Sequence, residues 1–507
     1  MEKLIAFVCE HICDDTTRLI MNRSKWPEID MDLAVNCIES RRKLKGKVQE
    51  WYDETALIFP RKLSAEQCSS SVTGEYKAEV AEKISRLASL ARNDSLKIAD
   101  LTGGLGVDSW FFSKKAVQVM YCEMLPELCN AARHNFSVLG ADNISVRNVA
   151  VATGAGISPL ATLGRNDKTS KDGPNDKTSK DGRNDNVISN EDEVRDETSV
   201  FKTPTQILSD FQPDIVYMDP ARRGENGKKV FLIEDCTPDV LTLKDEIFQH
   251  TRHILLKLSP MADITMVCNR LGRCCREVHV VAAGGECKEL LVWLDRDWDD
   301  EYMIHAVELH KNGETGVFSF TTSQEKVANG HWSSSHSFKA PSPKDDKASC
   351  QMLNEQLYLF EPGKALMKAG AFNLISERFH IHKLGQSTHY YVFSATLAED
   401  SRNTDITGEP YTAEQSLSSR CSSHDNNVVE TLKQHGKVFR IVRMEPLDKR
   451  TIKAAGKEFP KAEVTARNIP MDTESLRKKL GVTSGDDAHI FGLKSDSAGA
   501  LLIITKS

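Results

Sequence analysis

The chain reads as an α/β protein: an open, mainly parallel sheet wrapped by helices, preceded by a helical region and followed by smaller α+β modules. Three observations predict this. Short apolar runs alternate with helical ones from Lys97 to Arg273. A turn with three glycines, Thr102-Gly-Gly-Leu-Gly106, follows the first apolar run and opens a helix. The alternation then ends in two strands, Glu277–Ala283 and Leu290–Leu294, joined only by a glycine-containing turn.

Residues 1–94 are predicted to be mainly helical. Ala78, Val80, Ala81, Ile84, Leu87, Ala88 and Ala91 recur at helical spacing, with Thr73 as the expected N-cap. The loop before it, Glu66-Gln-Cys-Ser-Ser-Ser71, is more polar than a plain connection needs. Strands are then expected near Lys97–Leu101, Val117–Cys122, Ile144–Asn148, Asp214–Met218 and His253–Leu258. Helices are expected at about Val107–Lys115, Pro126–Leu139, Thr205–Phe211, Asp235–Gln249 and Met261–Arg273. Residues 95–300 therefore form one domain, broken by a polar segment at 152–200 that repeats Asn166-Asp-Lys-Thr-Ser-Lys-Asp-Gly173 as Asn175 to Gly182. So little apolar surface predicts a disordered insertion.

Further polar stretches at about Ser323–Cys350 and Glu399–Asn427 set off a last module, residues 428–507, behind a linker at 398–427. That module is expected to run strand Val438–Val442, helix Leu447–Lys457, strand Ala462–Ala466, helix Thr473–Leu480, then strands His489–Leu493 and Ala500–Thr505. Thirteen Lys or Arg face 7 Asp or Glu between Val428 and Gly481, although the whole chain carries a net charge of −7. No global basic field attracts nucleic acid, so any such contact must be local.

A length of 507 residues accommodates about three domains. The 13 cysteines form no C-x-x-C pair and predict reduced thiols without a metal site. The N-terminal apolar run is short and flanked by acids, and no segment approaches the ~18 apolar residues of a membrane helix, so a cytoplasmic location without membrane contact is expected.

The glycine turn selects among nucleotide ligands. In the dinucleotide pattern a third glycine would stand where this chain has Ser109, and Asp100 before the turn would repel a pyrophosphate. An acid there suits the cationic amino-acid head of S-adenosyl-L-methionine. Asp100, Thr102, Gly103, Gly104 and Gly106 are expected on the methionine side, and Asp108 is also expected among the cofactor-binding residues. Glu123, at the end of the second strand, is expected on the ribose hydroxyls, and Met124 on the adenine. Asn148 stands where many such enzymes place an acid to accept from the adenine amino group; its amide oxygen can do the same. The terminal hairpin agrees, because a hairpin closing a parallel sheet marks the seven-stranded, Rossmann-like arrangement of methyltransferases.

The fourth parallel strand ends in Asp219-Pro-Ala-Arg-Arg223, at the edge where open α/β sheets bind ligands. Asp219 and Pro220 there can accept from and orient an acceptor, and Arg222 and Arg223 can fork a phosphate. Methyl transfer needs little more than positioning. Two absences narrow the acceptor. Ala221 and Arg222 stand where adenine amino-methyltransferases put a stacking platform, and Lys257-Leu-Ser-Pro260 offers no cysteine to add to a pyrimidine ring. Cys287, in the hairpin turn, is read as incidental.

Taken together, Glu66-Gln-Cys-Ser-Ser70, Asp100-Leu-Thr-Gly-Gly-Leu-Gly-Val-Asp108, Asp219-Pro-Ala-Arg-Arg223, Lys257-Leu-Ser-Pro260, Glu286-Cys-Lys-Glu-Leu-Leu291 and Val464-Thr-Ala-Arg-Asn-Ile-Pro470 resemble the bacterial class I S-adenosylmethionine-dependent methyltransferases with a C-terminal THUMP-like domain. The resemblance implies a ferredoxin-like segment at 301–397 before a THUMP-like domain at 428–507. THUMP-type domains bind RNA, so it also implies RNA, of tRNA or rRNA class, as partner and acceptor. Two rival readings use the same residues: methyl transfer to a small molecule or a protein, and a cofactor-binding scaffold without turnover.

Overall fold

The computed structural model describes residues 2–88, 96–152, 200–222, 233–331, 356–394 and 428–506. The expected insertion, most of the polar stretch from Ser323 to Cys350, and the linker before residue 428 lie outside them. The chain divides into two compact units. The first comprises Met1–Gly74, Ala78–Tyr217 and Thr237–Thr251; the second comprises Glu75–Lys77, Met218–Cys236 and Arg252–Ser507.

The first unit opens with short helices: α1 (Glu2–Glu10), α2 (Thr16–Met21), α3 (Met31–Leu44), α4 (Gln49–Asp53) and α5 (Lys62–Gln67), leading into α6 (Ser71–Ala88). Asp15 and Asp30 cap α2 and α3 by accepting from backbone N–H groups of the first turn. Arg41 of α3 is 3 % exposed, and its guanidinium donates to the carbonyls of Tyr52, Glu54, Thr55 and Leu57. One buried cation thereby gives an irregular loop the partners its carbonyls need. The expected cap at Thr73 is corrected to Ser70, whose Oγ accepts from the Thr73 N–H while its own N–H donates to Thr73 Oγ1. This reciprocal pair starts α6 three residues early.

Strands β1 (Lys97–Asp100), β2 (Gln118–Glu123), β3 (Ile144–Val151), β4 (Val200–Lys202) and β5 (Ile215–Met218) of this unit run in the order β5-β1-β2-β3-β4, all parallel. The helices among them are α7 (Val107–Ser113), α8 (Pro126–Val138), α9 (Pro204–Leu208) and α10 (Val240–Ile247). Ile98, Ala99, Val119, Met120, Ile215 and Val216 are completely buried, as expected for strands covered on both faces. The register pairs Asp100 with Tyr121 and Tyr217, and Glu123 with Asn148, so the predicted ligand residues leave adjacent strands at the same edge. Helix α10 begins later than Asp235 because Cys236–Thr237 is extended, Pro238 follows, and Asp239 caps the helix.

The second unit carries two-residue strands β6 (Ala221–Arg222) and β7 (Cys236–Thr237), followed by β8 (His253–Leu258), α11 (Ile264–Leu271), β9 (Cys275–Ala283), β10 (Glu286–Asp295), β11 (Met303–Leu309), β12 (Thr315–Thr321) and α12 (Thr322–His331). The predicted hairpin is β9–β10, turned by Gly284 and Gly285 with φ of +61° and +80°, values that glycine adopts without strain. Strand β8 pairs with β10, β11 runs parallel beside β9, and β12 pairs with β11. Among the described residues the two ladders thus hold ten strands in place of the expected seven, the additional ones being β4, β11 and β12.

The start of the polar stretch at Ser323 is helical instead of irregular. Glu301 caps α12, accepting from Thr322 Oγ1 at 2.6 Å, from the Ser323 N–H at 2.8 Å and from Ser323 Oγ. Desolvation pushes its carboxyl up, but these donors outweigh it and hold the group at about 2 against an ordinary 4.5. A folded value below the unfolded one stabilises fully above pH 4.5, and the benefit disappears as pH falls towards 2. Hydrogen exchange across α12 is therefore expected to speed up on acidification through that window. In Glu301→Gln it should be fast at both ends.

The rest of this unit builds a second sheet. Its elements are β13 (Leu357–Pro362), α13 (Lys364–Ala369), α14 (Leu374–Phe379), β14 (His382–Lys383), β15 (Tyr391–Ser394), α15 (Val428–Lys433), β16 (Gly436–Pro446), α16 (Lys449–Glu458), β17 (Lys461–Arg467), α17 (Thr473–Leu480), β18 (Thr483–Ser495) and β19 (Gly499–Lys506). The strand order is β14-β15-β13-β16-β19-β18-β17. One face packs α16 and α17 over Val464, Ala466, Ile490, Leu502 and Ile504, while Leu359, Phe439, Phe491 and Ile503 form a core on the other. Among the described residues no helix is long and apolar enough to cross a membrane.

Candidate cofactor site and acceptor residues

The glycine turn is held from beneath by two aromatic rings that the sequence did not single out. Tyr121 of β2 donates its hydroxyl to the Gly104 carbonyl at 2.6 Å, and its ring lies against Gly103, where a Cβ would come within 2.2 Å of Cε2. Gly106 has φ +93° and caps α7, with the Phe136 ring 2.7 Å from its missing Cβ. Gly104 is different. Its φ is +55°, and only the Thr102 carbonyl, at 3.8 Å, lies within 4 Å of where a Cβ would stand. Two glycines are thus required by packing below the turn, and the third presents bare backbone to open space. In Gly103→Ala the ring of Tyr121 must shift, an overpacking cost of about 1–3 kcal/mol. A lowered melting temperature is the expected result.

The acids occupy unequal positions. Asp100 is 1 % exposed; Oδ1 accepts from the Thr102 N–H at 3.0 Å and Oδ2 from Ser109 Oγ at 2.6 Å, so this carboxylate fixes the turn from inside. Asp108 Oδ2 accepts from Tyr217 Oη at 2.8 Å and from Ser69 Oγ at 3.0 Å. The polar loop before α6 therefore both caps that helix, through Ser70, and fastens onto the motif, through Ser69. Cys68 donates to the Ala65 carbonyl within the loop.

Glu123 is partly exposed at the end of β2. Oε2 accepts from the Gly104 N–H and Oε1 from the Leu125 N–H, each at 2.9 Å. Desolvation is the larger influence and raises its carboxyl above the usual range, against the pull of these N–H groups. Each oxygen keeps a second lone pair, which is what vicinal hydroxyls require. Asn148 spends its amide N–H groups on the Glu123 and Met124 carbonyls at 3.0 and 3.2 Å, which presents Oδ1 as its acceptor. Bare backbone at Gly104, a bidentate carboxylate and an acceptor amide on adjacent strand ends together fit an adenosine-bearing ligand.

Asp219 follows β5 in the chain, and its Oδ2 meets Lys257 Nζ of β8 at 2.5 Å. By sequence the Lys257 segment is notable only for lacking a thiol; in the fold the lysine places a cation on the motif acid. Pro220 is buried beside it. Arg222 ends β6, and neither its side chain nor Arg223 is among the parts of the chain described.

In the last module, α16 and α17 lie side by side. A Cβ on Gly456 would sit 1.8 Å from the Leu480 carbonyl oxygen, so only glycine permits this approach. Lys449, Arg450, Lys453, Lys457, Lys478 and Lys479 on the two helices are exposed, and among the described residues none is in an ion pair. Residues 436–506 match the THUMP domain-like family. The last module is a THUMP-like domain. Residues 358–400 match a ferredoxin-like domain family, and β13 of that segment pairs with β16 of the THUMP-like domain. Residues 301–331, which precede that match, form β11, β12 and α12, with β11 on β9.

No curated protein matches the chain. Among solved structures it is similar to a candidate methyltransferase from Porphyromonas gingivalis W83, with TM-score 0.66 and 23 % identity over 100 % of this chain and 98 % of that one. The two share a fold. A SAM-dependent methyltransferase from Agrobacterium tumefaciens is a much weaker match, with TM-score 0.25 and 12 % identity over 45 % of this chain and 61 % of that one.

Proposed function

We propose that the chain is an S-adenosylmethionine-dependent methyltransferase acting on structured RNA. The observation that carries the reading is Glu123, tied to the glycine turn through the Gly104 N–H and retaining lone pairs for two hydroxyls. When bound, the cofactor supplies a methyl group already activated on a sulfonium. Glu123 holds the ribose, Met124 packs on the adenine, and Asn148 Oδ1 accepts from its amino group. Thr102, Gly103, Gly104 and Gly106 carry the methionine side, while Asp100 and Asp108 keep that turn rigid. Asp219 and Pro220 orient the acceptor, with Lys257 positioning the Asp219 carboxylate, and Arg222 and Arg223 grip a phosphate.

The RNA half of the proposal rests on the exposed cations of α16 and α17 in the THUMP-like domain. Contacts of that kind release counterions, so binding should weaken steeply with salt. Such work belongs in the cytoplasm. The test incubates the full chain with methyl-labelled cofactor and total cellular RNA; label in RNA, reduced by Lys453→Glu/Lys457→Glu, is expected. Label found only in protein or small molecules overturns the RNA assignment. Calorimetry without cofactor binding overturns the enzyme assignment.

A further inference from the structure

We propose that Glu277, His279 and His305 form a binding site for one divalent metal ion of the zinc class, distinct from the residues above. Glu277 and His279 lie two apart on β9 and so share a face, and His305 of β11 stands directly opposite His279 in the parallel register. Their ligand atoms all lie within 4.8 Å of one another. His279 Nε2 is 3.1 Å and His305 Nε2 3.2 Å from the same oxygen, Glu277 Oε2. Ligands bound at about 2.0–2.1 Å in a tetrahedron stand roughly 3.3 Å apart, so these separations already suit an ion.

Two further features point to a metal and not merely to a polar cluster. First, the other ring nitrogen of each histidine is held by a hydroxyl: His279 Nδ1 lies 2.7 Å from Tyr76 Oη, and His305 Nδ1 lies 2.7 Å from Ser319 Oγ. This outer support, which fixes ring orientation and leaves Nε2 as the ligand, is a regular accompaniment of histidine ligation. Second, His305 Nε2 is buried without an aligned hydrogen bond, despite the carboxylate oxygen 3.2 Å away. Two imidazoles and one carboxylate suit zinc and leave a fourth position for water. The bound ion joins β9 to β11, where the ladder changes from antiparallel to parallel pairing. No sequence motif announces the set, because its third member comes from a different strand.

The test uses the full chain, stripped with chelator, and Co²⁺ as a spectroscopic probe. One Co²⁺ per chain with the intense visible bands of tetrahedral coordination, displaced by Zn²⁺ and without the near-ultraviolet band of a thiolate ligand, is expected. His305→Gln and Glu277→Gln should lose the spectrum. Tyr76→Phe, which keeps the ring and removes only the hydroxyl on His279, should weaken binding about 10–100-fold. If either glutamine variant fails to fold by circular dichroism, Tyr76→Phe and Ser319→Ala decide. Absence of bound ion, a thiolate band, or unchanged affinity in the folded variants overturns the proposal.

Discussion

Glu289→Ala is expected to cost about 3–5 kcal/mol of folding stability, the range for removing one member of a buried ion pair. The Lys77 ammonium contacts both carboxylate oxygens of Glu289, at 2.8 and 3.0 Å, and the two side chains are 0 % and 3 % exposed. Truncating the acid removes two charge-assisted hydrogen bonds from a fully buried ammonium. Urea unfolding of the variant measures the loss. A second variant separates charge burial from lost packing: Lys77→Met in the Glu289→Ala background should recover a large part of the stability, because an apolar replacement needs no counter-ion. A loss below about 1 kcal/mol in the single variant would mean that the Lys77 ammonium is satisfied without this carboxylate. The residue belongs to Glu286-Cys-Lys-Glu-Leu-Leu291, so that segment of the resemblance, which lies in β10, carries a structural anchor.

Glu123→Ala is expected to abolish useful cofactor affinity. Hydrogen bonds to a charged group are each worth about 1.5–3 kcal/mol, so losing the carboxylate should weaken S-adenosylmethionine binding by roughly 10–150-fold per ribose contact. The variant also removes the acceptor for the Gly104 and Leu125 N–H groups, which loosens the turn. Glu123→Gln retains a carbonyl oxygen for one of these partners and should fall between wild type and alanine. Calorimetric titration measures both, with melting curves to confirm folding. Unchanged affinity would place the cofactor elsewhere.

Local chemistry was legible in the sequence wherever it was carried by neighbours along the chain. The glycine turn, the acid at the end of the second strand and helix Thr473–Leu480 appear where spacing predicted them. What spacing could not give was the partner arriving from far away. Tyr121, Tyr217 and Ser69 read as ordinary core or loop residues, yet they fix Gly104 and Asp108 across separations of 17, 109 and 39 residues. The same limitation hid the start of α12, whose cap is supplied by Glu301 from 22 residues upstream. It also hid the added strands β11 and β12, because pairing with β9 depends on a parallel neighbour that no local pattern announces.

The pairing of β13 with β16 limits how the polypeptide can be divided. β13 pairs with Gly436–Arg440 of β16, and β19 pairs with Arg440–Pro446, so the two neighbours cover successive halves of the strand. A fragment beginning at residue 428 would keep β19 and lose β13, baring the backbone donors and acceptors of Gly436–Arg440. Such rims recruit other chains. The excised piece should therefore self-associate or precipitate, whereas a fragment beginning before Leu357 keeps that border sealed. One sheet thus runs through both C-terminal family matches, and a cut between them severs it.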